Sequence, residues 1–217
     1  MSPCSFLRRS LLSASAAVLV AAGFGAGAGA GTAAAEPRPA AASSTGAYAR
    51  LLALADLSAR RLATGDLVAA AKWGTGGPID DPARERQVLD AVARQAAETG
   101  VDPAATVRIF RDQIEASKVV QRALHRQWEA DPSTAPDPSE RPDLAEVRLK
   151  INRLNGELVR AIAGSGAART ARSCDGLLAV GAVRTRMARH LDAPHTVALA
   201  RALPSVCEHG SRHEHRV

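Results

Sequence analysis

Apolar residues recur at steps of three and four along most of this chain, and this spacing limits the folds open to it. The clearest stretches are Leu51, Leu54, Leu57 and Leu62, then Val88, Leu89, Val92 and Ala96, then Val107, Phe110, Ile114, Val120 and Leu124, and finally Leu144, Val147, Ile151, Leu154, Leu158 and Ile162. Such steps are typical of helices that bury one face, whereas strands alternate with a period of two, which no segment here maintains. The sequence therefore predicts an all-α fold, a single-domain bundle of about six helices.

Short polar and proline-containing segments divide this pattern into separate helices. Asp-Pro pairs at residues 81–82 and 102–103 predict helix starts, because aspartate caps free amides and proline fits the first turn. Asp66 is predicted to cap a short second helix. Residues 131–142 contain four prolines and are predicted to be a loop. Residues 174–206 are predicted to form two further helices.

The amino-terminal residues have the composition of an export signal. Arg8 and Arg9 precede an apolar run over residues 11–23, and small residues continue to Ala35. This order predicts a signal peptide at 1–35 that is removed by cleavage after Ala35. The paired arginines fit a twin-arginine signal as well as a general secretory signal, so both routes stay open. Either route predicts a secreted, periplasmic or cell-envelope protein.

The remainder of the chain is predicted to have three parts. Residues 36–45, rich in Pro, Ala and Ser, are expected to be a disordered lead-in, 46–208 a folded domain, and 209–217 a loose polar tail. No later segment is apolar enough to span a bilayer, so no membrane partner is expected after signal removal. The tail contains three histidines, but a short histidine-containing tail is a weak pattern, and no metal site is predicted.

The net charge of +6 at pH 7 raises the question of a nucleic-acid partner. Aromatic residues make up only 3% of the chain, so side chains that could stack on single-stranded bases are scarce. The basic residues are also spread over several helices instead of forming one block. No nucleic-acid partner is therefore predicted.

Two cysteines, Cys174 and Cys207, remain after the predicted cleavage of the signal peptide, which contains Cys4. An even pair in an exported chain is predicted to form a disulfide. Two unpaired thiols are the alternative, which an oxidising compartment disfavours. Two distant cysteines offer too few ligands for a structural metal ion.

The chain lacks the common signatures of nucleophilic, metal-dependent and phosphate-binding enzymes. It has instead cationic side chains on apolar helices. Arg61 and Lys72 are eleven residues apart, close to three helical turns, so they would share a face if the helix continued with little kink. Arg84 lies in a first turn, where a cation opposes the helix dipole. Arginines on helices often make only weak surface pairs, so spacing alone leaves a shared pocket and a solvated surface both open.

Several dispersed motifs resemble the secreted branch, or gamma subclass, of the all-helical type II chorismate mutases. They extend over residues 51–207 and occur in the order Arg61-Leu62, Ala71-Lys72-Trp73, Pro78 to Glu85, Phe110 to Ser117, Gln121, Pro142-Asp143-Leu144, and Arg148. The cysteine pair fits the disulfide of that branch. The resemblance implies a helical bundle that converts chorismate to prephenate, an intramolecular isomerase without a cofactor. It also implies a homodimer.

The resemblance assigns a role to each matching residue. Arg61 and Arg148 look like clamps for the two carboxylates of chorismate, and Lys72 and Gln121 like donors to its ether oxygen. The matching positions also make Arg84 and Ser117 substrate-binding residues. Where some relatives have a polar residue that contacts the substrate hydroxyl, this chain has Val88, and the neighbouring Gln87 is the alternative for that contact.

These residue types suit a rearrangement in which one C–O bond breaks while one C–C bond forms. No proton has to move, so neither a general base nor a nucleophile is required. Positioning by arginines and donors aimed at the ether oxygen would be sufficient. Two alternatives stay open: an exported helical protein that binds a dianionic small molecule without converting it, and a host-interaction protein whose pocket has decayed.

Overall fold

The structure, a computed structural model, describes residues 39–208, with side chains from residue 44 onwards. This part of the chain contains eight α-helices, two short 3₁₀ helices at Pro132–Thr134 and Pro138–Glu140, and no strand. The α-helices are α1 (Pro39–Leu62), α2 (Thr64–Lys72), α3 (Pro82–Glu98), α4 (Pro103–Ala130), α5 (Leu144–Ala163), α6 (Gly166–Arg169), α7 (Cys174–Ala188) and α8 (Ala193–Ala202). The all-α prediction is confirmed, but the predicted number of about six helices is too low.

The Asp-Pro pairs start helices as predicted. The Asp81 side chain accepts a hydrogen bond from the backbone amide of Arg84 at 3.0 Å, and Asp102 accepts from the first amides of α4. Asp66 does not cap α2, because the helix already begins at Thr64 and Ala63 occupies the capping position. The Asp66 carboxylate instead lies 3.1 Å from Nε2 of His195.

Helix α1 begins seven residues earlier than the sequence pattern suggests. It starts at Pro39, inside the segment predicted as a disordered lead-in, and that prediction is wrong for residues 39–45. The added residues include three consecutive alanines, the best helix formers, which extend the helix although they add no apolar stripe. The predicted signal peptide at 1–35 and the polar tail at 209–217 lie outside the described residues.

The long helices pack around one core. Helix α1 lies against α5 and α7, while α4 lies against α2, α3 and α8. The core contains fully buried side chains from three of these helices: Leu51, Leu54 and Leu62 on α1, Ile109 and Phe110 on α4, and Leu158 and Ile162 on α5. All of these residues except Ile109 belong to the stripes seen in the sequence, so helix periodicity also predicts most of the buried faces. No helix of the described residues combines the length and apolarity needed to cross a membrane.

A disulfide joins Cys174, the first residue of α7, to Cys207 beyond α8, as predicted. It closes a loop of sequence separation 33. In the loop-entropy account such a crosslink stabilises the fold by about 3–4 kcal/mol. The buried Arg169 side chain reinforces the same corner, since its Nε donates to the carbonyl of Val206 at 3.0 Å.

Candidate active site

A cavity of about 110 Å³ lies among α2, α3, α4 and α5, with the end of α1 at its base. One water needs about 10–15 Å³ on this measure, so the cavity has room for a small organic molecule. Six of the seven predicted site residues line it, namely Arg61, Lys72, Arg84, Ser117, Gln121 and Arg148. The seventh, Gln87, lines a neighbouring cavity instead. The helices thus bring four separated cationic residues to one site.

Arg61 is at the end of α1 and is buried, with 5% of its surface exposed. Its Nε donates to Oδ1 of Asn155 at 2.9 Å, and its Nη1 donates to the carbonyl of Gln113 at 3.0 Å. The guanidinium also lies 5.8 Å from the centre of the Phe110 ring. Burial lowers the pKa of Arg61 to about 10. A guanidinium with five N–H donors keeps capacity for a further acceptor after these two bonds.

Lys72 is the last residue of α2. Its Nζ donates to the carbonyls of Pro78 at 2.6 Å and Ile79 at 3.3 Å. The loop that brings these carbonyls back uses Gly74 and Gly76, whose φ angles of 76° and 68° favour glycine. Burial lowers the pKa of Lys72; the charge of Asp81 raises it, and that of Arg148 lowers it further. An ammonium has three donors, so one remains for a bound molecule.

Arg84 and Arg148 approach the cavity from α3 and α5. The two terminal nitrogens of Arg84 donate to Oε1 of Gln87 and to Oδ1 of Asn152, both at 3.3 Å. Burial lowers the pKa of Arg84, and repulsion from Arg148 lowers it further. The Arg148 side chain makes no hydrogen bond or ion pair with any part of the chain that the structure describes. Its charge therefore acts on both Arg84 and Lys72 without being compensated by a partner.

Ser117 and Gln121 are four residues apart on α4 and face the cavity together, as their spacing predicts. Nε2 of Gln121 donates to Oγ of Ser117 at 3.2 Å. Gln121 is 5% exposed, and within residues 44–208 its Oε1 has no hydrogen-bond partner. The amide keeps a second N–H that can donate to a bound molecule.

The sequence interpretation missed two carboxylates, Asp81 and Glu85, which also line the cavity. Asp81 was recognised only as a helix cap. Glu85 lies one residue after Arg84, and its carboxylate is 2.9 Å from Nζ of Lys118. Lys118 is 7% exposed and also pairs with Asp80 and Glu115. Burial lowers the pKa of Lys118, but these three carboxylates outweigh burial and raise it overall.

The remaining wall is apolar: Val68, Ile79, Val88, Ile114, Leu144 and Ile151. Apolar walls lower the local dielectric and strengthen the attraction between a cation and a bound anion. Among residues 44–208 no three His, Cys, Asp or Glu side chains gather as a metal site. The arrangement is suited to hold a compact dianion and to offer donors to its uncharged oxygens.

Comparisons with known proteins agree on one family. Residues 52–122 match the family described as chorismate mutase type II. A secreted chorismate mutase of Mycolicibacterium smegmatis is 46% identical over 113 residues, covering 52% of this chain and 61% of the relative, so the chain spans about three-fifths of its length. A secreted chorismate mutase of Mycobacterium tuberculosis is 33% identical over 160 residues, covering 74% of this chain and 79% of the relative.

Solved structures show the same similarity. The chorismate mutase of Burkholderia thailandensis aligns with a TM-score of 0.68 and 37% identity, covering 73% of this chain and 99% of that one. The chorismate mutase of Burkholderia phymatum aligns with a TM-score of 0.70 and 33% identity, covering 75% of this chain and 98% of that one.

Proposed function

This chain belongs to the chorismate mutase type II family, and on that premise we propose that it is an exported enzyme that rearranges chorismate to prephenate. The observation that carries the proposal is the convergence of Arg61, Lys72, Arg84 and Arg148 on one cavity. Chorismate has two carboxylates and an ether oxygen, and these groups match the charges and donors of the cavity.

The reaction is an isomerisation, so every atom of the substrate is kept. The C–O bond of the enol ether breaks while a C–C bond forms, and no proton or electron is exchanged with the protein. Catalysis then requires a compact substrate conformation and stabilisation of the negative charge that grows on the ether oxygen. The cavity has donors for both tasks.

The two carboxylates of the substrate would be held by the arginines. Arg61 and Arg148 are the proposed clamps, with Arg84 and Ser117 as further contacts. The support is that the hydrogen-bond partners of Arg61 and Arg84 leave N–H groups unused, and that Arg148 contributes a charge inside the cavity wall. Guanidinium–carboxylate pairs are short and directional, so they fix the substrate as well as attract it.

The ether oxygen would receive hydrogen bonds from Lys72 and Gln121. The carbonyls of Pro78 and Ile79 already orient the Lys72 ammonium, and Oγ of Ser117 orients the Gln121 amide. Donors fixed before the reaction need no reorganisation as charge develops, which is why their effect on the barrier is large.

The substrate hydroxyl needs a different partner from the one predicted. Val88 offers no hydrogen bond, and Gln87 lines the neighbouring cavity. Asp81 and Glu85 are the carboxylate acceptors in the cavity wall. We therefore assign hydroxyl recognition to this acidic pair, since a neutral hydroxyl can donate to a carboxylate at no cost in charge.

The direct test follows loss of chorismate absorbance with the purified mature protein, its Lys72→Ala variant and a matched Lys150→Ala control. Lys150 is exposed on α5 and does not line the cavity. We expect turnover by the wild type and by the control, and a loss of about 100- to 1000-fold in Lys72→Ala, because one preorganised donor is removed. A protein that binds chorismate without turnover would instead be a binding module. Equal rates in both variants would refute the role of Lys72.

Export and dimerisation complete the proposal. Residues 1–35 have the signal-peptide pattern, and two relatives are named as secreted enzymes.

A homodimer is supported by an exposed apolar stripe on α7. It consists of Val180, Val183 and Met187, which are 57%, 52% and 66% exposed. Sedimentation of the mature protein would test the dimer, with Met187→Glu expected to shift it toward monomer.

A further inference from the structure

The cavity cations differ from the other paired cations in the kind of hydrogen-bond acceptor they use. Arg61, Lys72 and Arg84 donate to amide and carbonyl oxygens, all of them neutral. The arginine and lysine cations of residues 44–208 that form ion pairs with carboxylates all lie outside the cavity, namely Arg60, Lys118, Arg122, Arg169 and Arg189. Arg50 and Arg141, which also lie outside it, donate to backbone carbonyls. Burial alone does not exclude a carboxylate partner, since the buried Arg169 pairs with Glu208 whereas the buried Arg61 has only neutral acceptors.

Two of the neutral acceptors of the cavity arginines are asparagine side chains. The whole chain has two asparagines, Asn152 and Asn155. They are three residues apart on α5, and each accepts a hydrogen bond from a cavity arginine, Asn152 from Arg84 and Asn155 from Arg61. Asn155 is buried at 4% exposure.

A neutral acceptor has a consequence that a carboxylate would not have. An aspartate at position 155 would orient the Arg61 guanidinium equally well, but it would also cancel its charge in a low-dielectric site. An incoming carboxylate would then be repelled by the aspartate about as strongly as it is attracted by Arg61. An amide orients the guanidinium through a dipole and leaves its full positive charge for the ligand. The cost is a buried charge without a counter-ion while the cavity holds no anion.

We propose that Asn155 is a positioning residue that gives the cavity its affinity for a dianion, by orienting Arg61 through a neutral oxygen that leaves its charge uncompensated. Asn152 has the same role for Arg84 at the more exposed edge of the site. This inference rests on the proposed function for the identity of the dianion.

The test replaces the amide by its isosteric acid, Asn155→Asp, and measures kcat and KM for chorismate, prephenate affinity by calorimetry, and the unfolding temperature. We expect KM and the prephenate Kd to rise about 10- to 100-fold, because the added carboxylate opposes ligand binding. The kcat at saturation should change by less than about threefold, since orientation is kept. The unfolding temperature should not fall, because the buried guanidinium gains a counter-ion.

Two further variants keep the result interpretable. Lys150→Gln makes the same change in net charge on the exposed side of α5 and should leave KM, kcat and Kd unchanged. Asn152→Asp at the exposed edge of the site should fold normally and raise KM by a smaller factor, because solvent screens its charge. If Asn155→Asp proves unstable, loss of affinity in Asn152→Asp still supports the inference, and unchanged affinity there overturns it.

The outcomes separate this inference from the proposed function. A wild type that binds prephenate but does not consume chorismate contradicts the enzyme assignment, while the effect of Asn155→Asp on prephenate affinity is still expected. An active wild type with unchanged KM and Kd in Asn155→Asp overturns the inference alone. A lowered unfolding temperature with unchanged affinity would assign Asn155 a purely structural role. A wild type that binds no prephenate overturns both.

Discussion

Gln121 is a neutral amide in a buried position where charge is expensive, and its chemistry sets the pH dependence of the site. An amide donates a hydrogen bond at every pH, whereas a glutamate in its place would have to be protonated first. We therefore expect kcat/KM of the wild type to be nearly flat from about pH 5 to 8, because the amide does not titrate and Arg61, with a pKa of about 10, stays charged. In Gln121→Glu we expect it to fall as pH rises, reaching a loss of about 100-fold or more at pH 8.

The control for this measurement is Gln127→Glu, an exposed position on the same helix. It makes the same change in charge outside the cavity and should keep the flat profile. A flat profile in Gln121→Glu as well would mean that the amide does not donate to the reacting oxygen.

At the residue scale, local spacing predicts part of the site and long-range packing decides the rest. The eleven-residue step between Arg61 and Lys72 was informative because the chain between them stays helical except at Ala63. Asn155 could not be inferred, since its contact with Arg61 joins residues 94 positions apart. Gln87 lines the neighbouring cavity for a local reason, since the position next to Val88 along the helix points about 100° away from it.

At the scale of elements, His195 links the start of α8 to α2. Its Nδ1 lies 2.7 Å from Asp192 and its Nε2 3.1 Å from Asp66. The contact with Asp66 raises the pKa of His195 to about 9, burial opposes this, and Asp192 adds to it. Because the folded state has the higher pKa, the stabilisation is complete below about pH 6.5 and is lost as pH rises through 9.

We predict that His195→Gln lowers the free energy of unfolding by about 1–2 kcal/mol at pH 6, a value reduced to allow for solvent screening. At pH 10 the variant and the wild type should be equally stable, because the wild-type imidazole is then neutral. Urea denaturation at the two pH values measures the difference. His190→Asn is the control, since His190 is exposed and asparagine tolerates its φ of 51°. An equal loss at both pH values would rule out the charged pair.

Helix starts were more predictable than helix ends and short helices. Aspartate followed by proline fixes α3 and α4 through contacts within one turn, so the sequence contains the whole signal. Helix α6 has four residues and no stripe of its own, so it could not be predicted from periodicity. At its start Oγ of Ser165 donates to the carbonyl of Ile162 in the last turn of α5, and at its end Nε of Arg169 donates to the carbonyl of Val206 beside the disulfide.

At the scale of the molecule, the bundle keeps four cations around a cavity whose wall has only two carboxylates, Asp81 and Glu85. Burial lowers the pKa of both Lys72 and Arg84, repulsion from Arg148 lowers it further, and Asp81 offsets part of the effect, so charging these side chains costs free energy in the folded state. Such a cost is expected where the charges of a site suit a bound anion and are not balanced within the protein. Other parts of the fold, including the disulfide and the core of α1, α4 and α5, have to compensate for it.

The same conflict predicts that removing one cation stabilises the fold while it disables the site. Arg148→Gln should raise the free energy of unfolding of the ligand-free protein by about 0.5–1 kcal/mol, because repulsion on Lys72 and Arg84 is relieved. Its kcat/KM for chorismate should fall about 100-fold or more, since a carboxylate clamp is lost. Urea denaturation and initial rates measure the two effects, with Arg126→Gln, an exposed arginine on α4, as the control expected to change neither. If Arg148→Gln instead destabilises the ligand-free protein, Arg148 stabilises the packing of α5. Repulsion among the cavity cations is then not a net cost to the stability of the fold.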